Sequence, residues 1–160
     1  MNDALLSLLE ENALATPATL AAQLQTTPED IQAQIKALEQ DRVILAYKAI
    51  IDDERARRTS VKAVIEVRVT PEREGGFDKL ANRVSQYREV QSCFLMSGGF
   101  DLLVFIEGKT LQEVAGFVSE KLSTLPGVLS TATHFNLKTY KQQGVLRQKL
   151  ETEQRLQVSP

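Results

Sequence analysis

The order of helix signals and strand alternation predicts an α+β chain in two parts, a winged helix-turn-helix followed by a ferredoxin-like βαββαβ domain. Three observations carry this. Thr16-Pro17 and Thr27-Pro28 are two closely spaced helix starts. Val61, Ala63, Ile65, Val67 and Val69 alternate with Lys62, Val64, Glu66, Arg68 and Thr70, the period of a half-buried strand. Leu102-Leu103-Val104-Phe105-Ile106, apolar on both faces, follows the turn Ser97-Gly98-Gly99-Phe100 as a central strand. The expected organisation is a winged helix-turn-helix over 1–52, a linker over 53–60, a ferredoxin-like, ACT-like domain over 61–143, and a tail over 144–160.

In the first part, Asp3 can cap a helix over 3–12 whose stripe is Leu5, Leu6, Leu8 and Leu9. Thr16 supplies a cap oxygen, and Pro17 fits the first helical position, where no amide donor is needed. Leu20 and Leu24 share a face, and the helix should end near Leu24-Gln25. Thr27 repeats the signal: its hydroxyl can accept from the amide of Asp30, with Asp30 reaching back in a variant capping box. Ile31, Ile35 and Leu38 follow at helical spacing. Two short helices so close together fit a helix-turn-helix, and a plain three-helix bundle satisfies the same spacing. Val43 to Asp52 is rich in β-formers and reads as a strand closing a winged module. The charged stretch from Asp53 to Ser60 reads as the linker.

In the second part, Pro71 to Gly76 is a loop, and Phe77, Leu80, Ala81 and Val84 mark an amphipathic helix. Val90 to Met96 is a strand. Thr110 caps a helix with Leu111, Val114, Ala115, Val118 and Leu122 as its buried stripe. Pro126-Gly127 breaks the chain, and Val128 to Tyr140 is a long, Thr-rich strand. Both helices should lie on one face of the sheet, and covering the other face is a physical reason to dimerise. The tail, with Val145, Leu146, Leu150 and Leu156, reads either as a weak helix against a partner subunit or as a disordered end.

Bulk properties narrow the function. Hydrophobic residues at 42% and charged residues at 25% are ordinary for a globular protein. Trp is absent, so Leu, Ile and Val must fill the core. One Cys, Cys93, excludes an internal disulfide, and one His leaves no metal site to expect. The start lacks a signal-peptide pattern, and no apolar run reaches membrane-spanning length, so a cytoplasmic chain is expected. The net charge of −2 gives no bulk support for nucleic-acid binding.

The chain resembles the leucine-responsive regulator (Lrp/AsnC) family. The first half carries this in Leu6-Ser7-Leu8-Leu9-Glu10-Glu11-Asn12, Thr19-Leu20-Ala21-Ala22-Gln23-Leu24 and Ile35-Lys36-Ala37-Leu38-Glu39-Gln40-Asp41-Arg42-Val43-Ile44. The second half carries it in Ser97-Gly98-Gly99-Phe100-Asp101-Leu102-Leu103, Leu125-Pro126-Gly127-Val128, and Thr131 to Lys141. The resemblance implies a DNA-binding regulator without enzymatic activity or cofactor. It also implies a dimer, often an octamer, that binds an amino acid or related effector between subunits.

By that resemblance the helix from Pro28 is the recognition helix for double-stranded DNA. The candidate contacts are Thr27, Gln32, Gln34, Lys36, Arg42 and Lys48. The sequence departs from the family in charge here. Residues 1–50 hold three basic residues, Lys36, Arg42 and Lys48. Against them stand seven acidic ones, Asp3, Glu10, Glu11, Glu29, Asp30, Glu39 and Asp41. Arg55, Arg57 and Arg58 could add cations from the linker. Gly98, Gly99 and Asp101 match the family's glycine-x-x-aspartate loop as effector residues. Asp101 either pairs with an ammonium group or braces the loop. Thr131 and Thr133, on one face of the last strand, complete the candidate site. Two other readings share the fold: an effector sensor with little DNA affinity, motivated by the acidic first half, and a siroheme-decarboxylase-like enzyme. Against the enzyme stand the single His and the lack of a second cluster of titratable groups.

Overall fold

The computed structural model describes residues 3–70 and 77–147. The predicted 71–76 loop and the tail beyond Arg147 lie outside the described residues. The chain divides between Ala49 and Ile50 into two compact units.

The first unit holds α1 (Asp3–Glu11), α2 (Pro17–Leu24) and α3 (Pro28–Gln40). Leu5, Leu9, Leu20, Ala21 and Ile31 form its buried core, with Leu24, Ile35, Leu38 and Ile44 packed against them. Asp3 stands in the first turn of α1, where a carboxylate complements the helix dipole. The two threonine caps form as expected. Thr16 Oγ1 accepts from the Thr19 amide at 3.2 Å, and Thr27 Oγ1 from the Asp30 amide at 3.2 Å. Asp30 does not close the capping box; its Oδ2 accepts instead from the Thr26 hydroxyl at 3.1 Å. Both α2 and α3 end in a left-handed residue, Gln25 (φ 55°) and Arg42 (φ 56°). The next amide then reaches back to close the helix, Thr26 N to Ala21 O at 3.0 Å and Val43 N to Leu38 O at 2.9 Å. These are Schellman closures made without glycine.

The predicted wing strand is corrected. Residues 43–52 form no strand in the described structure. Val43 and Ile44 spend their amides on Leu38 O, finishing α3. The following β-formers have no neighbouring ladder, and β-propensity without a paired edge does not make a strand. Leu45, Tyr47, Ile50 and Ile51 are exposed.

The second unit is built on β1 (Val61–Val69), α4 (Asp78–Ser85), β2 (Val90–Leu95), β3 (Leu102–Gly108), α5 (Leu111–Gly116) and β4 (Val128–Phe135). The sheet order is β2-β3-β1-β4, every pair antiparallel, which is the ferredoxin-like arrangement. The helix capped by Thr110 continues beyond α5 as a π-helical segment, Phe117–Leu122. Ala63, Ile65, Val67 and Val69 of β1 and Leu102, Val104 and Ile106 of β3 are buried with Leu80, Val84, Val114, Phe117 and Leu122 from the helices. The opposite sheet face carries Val64, Leu103, Phe105 and Phe94, with Phe94 and Phe105 edge-to-face at 6.0 Å.

The last strand stops at Phe135, not Tyr140. Asn136 N donates to Lys62 O, beside the start of β1, and its side chain turns to Thr139. Beyond that point β1 offers no backbone to pair with. The chain instead makes a small hairpin, β5 (Lys141–Gln142) with β6 (Val145–Leu146).

The expected linker is partly ordered. Asp52 Oδ1 accepts from the amides of Glu54 and Arg55, and Ala56 N and Arg58 N bond back to the carbonyls of Asp52 and Asp53. The Asp53 carboxylate pairs with Lys62 at 2.5 Å and Arg147 at 3.5 Å. The bond from Lys62 holds the Asp53 carboxyl below its usual range, against the opposing effect of burial.

Two outcomes follow. Gln25→Gly should raise stability by about 0.5–1 kcal/mol, because relief of the left-handed strain exceeds the entropy glycine adds to the unfolded chain; thermal melts measure it. The pair at Asp53 stabilises the fold above the ordinary Asp pKa of 3.8, and that contribution is lost as pH falls below it. Asp53→Asn should therefore lower Tm at pH 7, and the difference from wild type should shrink as pH falls below the ordinary Asp range through the lowered folded-state pKa.

Candidate effector loop and DNA-facing helix

The end of the sheet where β1 finishes gathers most of the candidate effector residues. Residues 97–100 turn between β2 and β3, closed by Met96 N donating to Asp101 O at 2.8 Å. Gly98 takes φ +135°, and open space surrounds the position a side chain would occupy at both Gly98 and Gly99. Positive φ of this kind is strained for residues with a Cβ. Asp101 ties the turn to β1 twice. Its amide donates to Val67 O at 2.9 Å, and its Oδ2 accepts from Val69 N at 2.7 Å. The second bond meets β1 at its irregularity, where the register with β4 shifts between Arg68 and Val69. Of the two roles expected for Asp101, bracing is the one this geometry fills.

Thr131 lies opposite Val67, on the rung that Asp101 N also joins; Thr133 is one rung further in, opposite Ile65. Both share the helix-side face of β4. The Thr131 hydroxyl is 3.3 Å from that of Ser123. Arg68 was not singled out from sequence, yet its Nε donates to Gly99 O at 2.9 Å. Only the strand register reveals this contact, since the two residues are far apart in the chain. His134 pairs with Glu66 at 3.3 Å on the open sheet face, across from the helices. Burial pushes the Cys93 thiol up, as befits a packing residue and not a nucleophile. Neither the cleft around Lys79, Arg83 and Pro126 nor the one around Lys109, Glu113 and Lys121 includes the turn residues.

On α3, Gln32 and Lys36 are exposed and one turn apart, sharing an outward face. Gln34 is half-buried, so it stands off that face. Thr27 is exposed, but its hydroxyl is engaged in capping. Arg42 and Lys48 are exposed beyond the helix. Glu29 also stands exposed in the first turn. Tyr47 is held above its usual pKa, first by burial and then by its bond to Glu39 at 3.1 Å.

The Lrp/AsnC ligand binding domain matches residues 62–146. An HTH-type transcriptional regulator of Bacillus subtilis, YugG, is 42% identical over 157 residues, covering 98% of this chain and 95% of the relative. The chain belongs to the Lrp/AsnC family. The leucine-responsive regulatory protein of Haemophilus influenzae is 25% identical, covering 89% of this chain and 85% of that protein. A transcriptional regulator from Neisseria meningitidis, crystallised as an L-Met complex, superposes with a TM-score of 0.69 at 25% identity. It covers 86% of this chain and 88% of that one.

As an Lrp/AsnC protein, the chain is a transcription regulator with an effector-binding domain, in a family whose members bind DNA and small molecules and oligomerise. Its matched relatives are regulators, not enzymes. The family match spans the sheet and both helices of the second unit, including the braced turn.

Because Asp101 satisfies a strand-end amide, Asp101→Ala should cost about 1–3 kcal/mol of stability. Denaturant unfolding measures this; an unchanged midpoint would mean that the bond to Val69 adds nothing.

Proposed function

We propose that this protein is a cytoplasmic, sequence-specific regulator of transcription whose grip on double-stranded DNA answers to an amino acid or related metabolite. The effector is held at the turn of Gly98, Gly99 and Asp101, with Thr131 across β1 from it and Thr133 one rung further in. The braced turn is the observation that carries this reading. Two open glycine positions there present backbone to a ligand, and the turn is pinned at three points to β1. The apolar face of Val64, Phe94, Leu103 and Phe105 supports a homodimer, and a dimer can build further to an octamer.

DNA contact rests on Gln32 and Lys36, with Arg42 and Lys48 reaching phosphates. Thr27 acts mainly through its cap, and Gln34 through packing beside the face. Glutamine pairs with adenine edges and lysine with guanine or phosphate. The acidic surroundings weaken each module, so affinity depends on several modules binding together. The same charge favours the second reading, a sensor with little DNA affinity.

A gel-shift titration on the chain's own promoter region, across salt and with each of the common amino acids, separates the two. Sequence-preferential binding that an effector alters supports the regulator. Its absence at low salt with every effector overturns it. Lys36→Gln should weaken DNA binding and lower the salt slope by about one. Glu29→Gln should strengthen binding, with little change in thermal stability.

A further inference from the structure

We propose that the turn from Asp53 to Arg58 is a second DNA-binding surface, on which Arg57 and Arg58, assisted by Arg55, hold backbone phosphates of the duplex that the first unit reads. This rests on the reading of the first unit as a DNA-binding module. The turn is folded, not loose. Asp52 Oδ1 caps it by accepting from the amides of Glu54 and Arg55 at 3.1 and 3.2 Å. Two backbone bonds close it, Arg57 N to Glu54 O at 3.1 Å and Arg58 N to Asp53 O at 2.8 Å. Arg57 takes the left-handed conformation (φ 53°) that such a closure requires and that glycine would adopt without strain. The Asp53 carboxylate fastens the turn to β1 through Lys62, and to Arg147 just past β6; Arg147 Nη2 also donates to Ile51 O at 3.3 Å.

That fastening separates the charges of the turn. The Asp52 and Asp53 side chains are 28% and 20% exposed, against 82% for Arg55, which stands 3.8 Å from Asp52. Arg57 and Arg58 are exposed and have no acidic partner among the described residues. Glu54 is the one acid from Asp53 to Arg58 left exposed. Guanidinium groups therefore face solvent from a held backbone, and phosphate is an anion that their fork matches. A held turn presents them at a lower entropic cost than a free linker would. The chain itself brings a duplex here. Arg55 is seven positions on from Lys48, a stretch that spans at most about 25 Å. A duplex engaged at Lys48 carries about one phosphate charge per 1.7 Å of helix axis, so phosphates lie within that reach. The surface also supplies what the first unit lacks, since residues 1–50 hold three basic residues against seven acidic ones.

The test is fluorescence anisotropy of the full chain on its own promoter region and on an unrelated duplex of equal length, over roughly 50–200 mM salt. For Arg57→Gln combined with Arg58→Gln, the proposal expects affinity at low salt to fall about tenfold or more on both duplexes. The slope of log affinity against log salt should lessen by about two. The affinity ratio between the duplexes and the Tm should not change, because phosphates carry no sequence and both side chains are exposed. Arg57→Gly should raise Tm, by relieving the left-handed residue, and still lessen the slope by about one; a merely structural role would move Tm and affinity together. Should either variant keep the wild-type slope while the wild type binds DNA, the proposal is overturned and the DNA reading stands. A loss confined to the promoter duplex also overturns it, since that is base reading. Vesicles of phosphatidylserine and phosphatidylcholine form the last arm. Vesicle binding that the double variant loses, with its DNA slope intact, gives the turn to a membrane surface and overturns the proposal. If the wild type binds neither duplex at the lowest salt, the DNA reading itself falls, and the proposal with it.

Discussion

Among the described residues the four-stranded sheet has helices on one side only, and this is the constraint from which the rest of this protein follows. The helix side is closed: alternate residues of β1 and β3 are fully buried beneath α4, α5 and the π-helical segment. The other side carries Val64, Leu103 and a pair of edge-to-face phenylalanines, interrupted by the polar contact of Glu66 with His134. An apolar face of this kind on a small unit is stabilised by burial against another surface. A second copy is the partner consistent with a family whose members oligomerise. Assembly and sensing then share one scaffold, since the braced turn sits at the end of the same two central strands.

The turn is rigid because its bonds lead into those strands. Asp101 fixes the turn to β1 through backbone and side chain, and Arg68 returns the tie from β1 to Gly99. A ligand site built this way, as proposed for this turn, would be preorganised, so binding would not have to order a loose loop. It also links any change at the turn to the apolar sheet face proposed to meet a second copy. In the first unit, capped helices give a well-defined outward face, but its charge works against DNA. In the proposed assembly, oligomerisation would offset this by linking several weak modules.

Much of this was legible in the sequence wherever a signal is local. The threonine-proline starts place α2 and α3 correctly, because cap oxygen and missing amide act within one turn. The alternation over 61–69 identifies β1, because its inward residues must be buried. The failures have a common cause. Val43 to Ile51 carries β-formers but lacks a strand to pair with, and the stretch after Phe135 runs past the start of β1. In both cases pairing, not propensity, decides. The role of Asp101 was legible only as two alternatives, and the contact of Arg68 with Gly99 not at all, since both depend on which strands become neighbours.

The central claim is that the open sheet face is covered by another copy of this chain. Sedimentation equilibrium of the wild type and of Phe105→Glu, over a range of concentrations near physiological salt, tests it most directly. The account predicts a wild type that is dimeric or larger, and a variant shifted towards monomer with a lower Tm. A wild type that stays a folded monomer throughout, with Phe105→Glu indistinguishable from it, would contradict it.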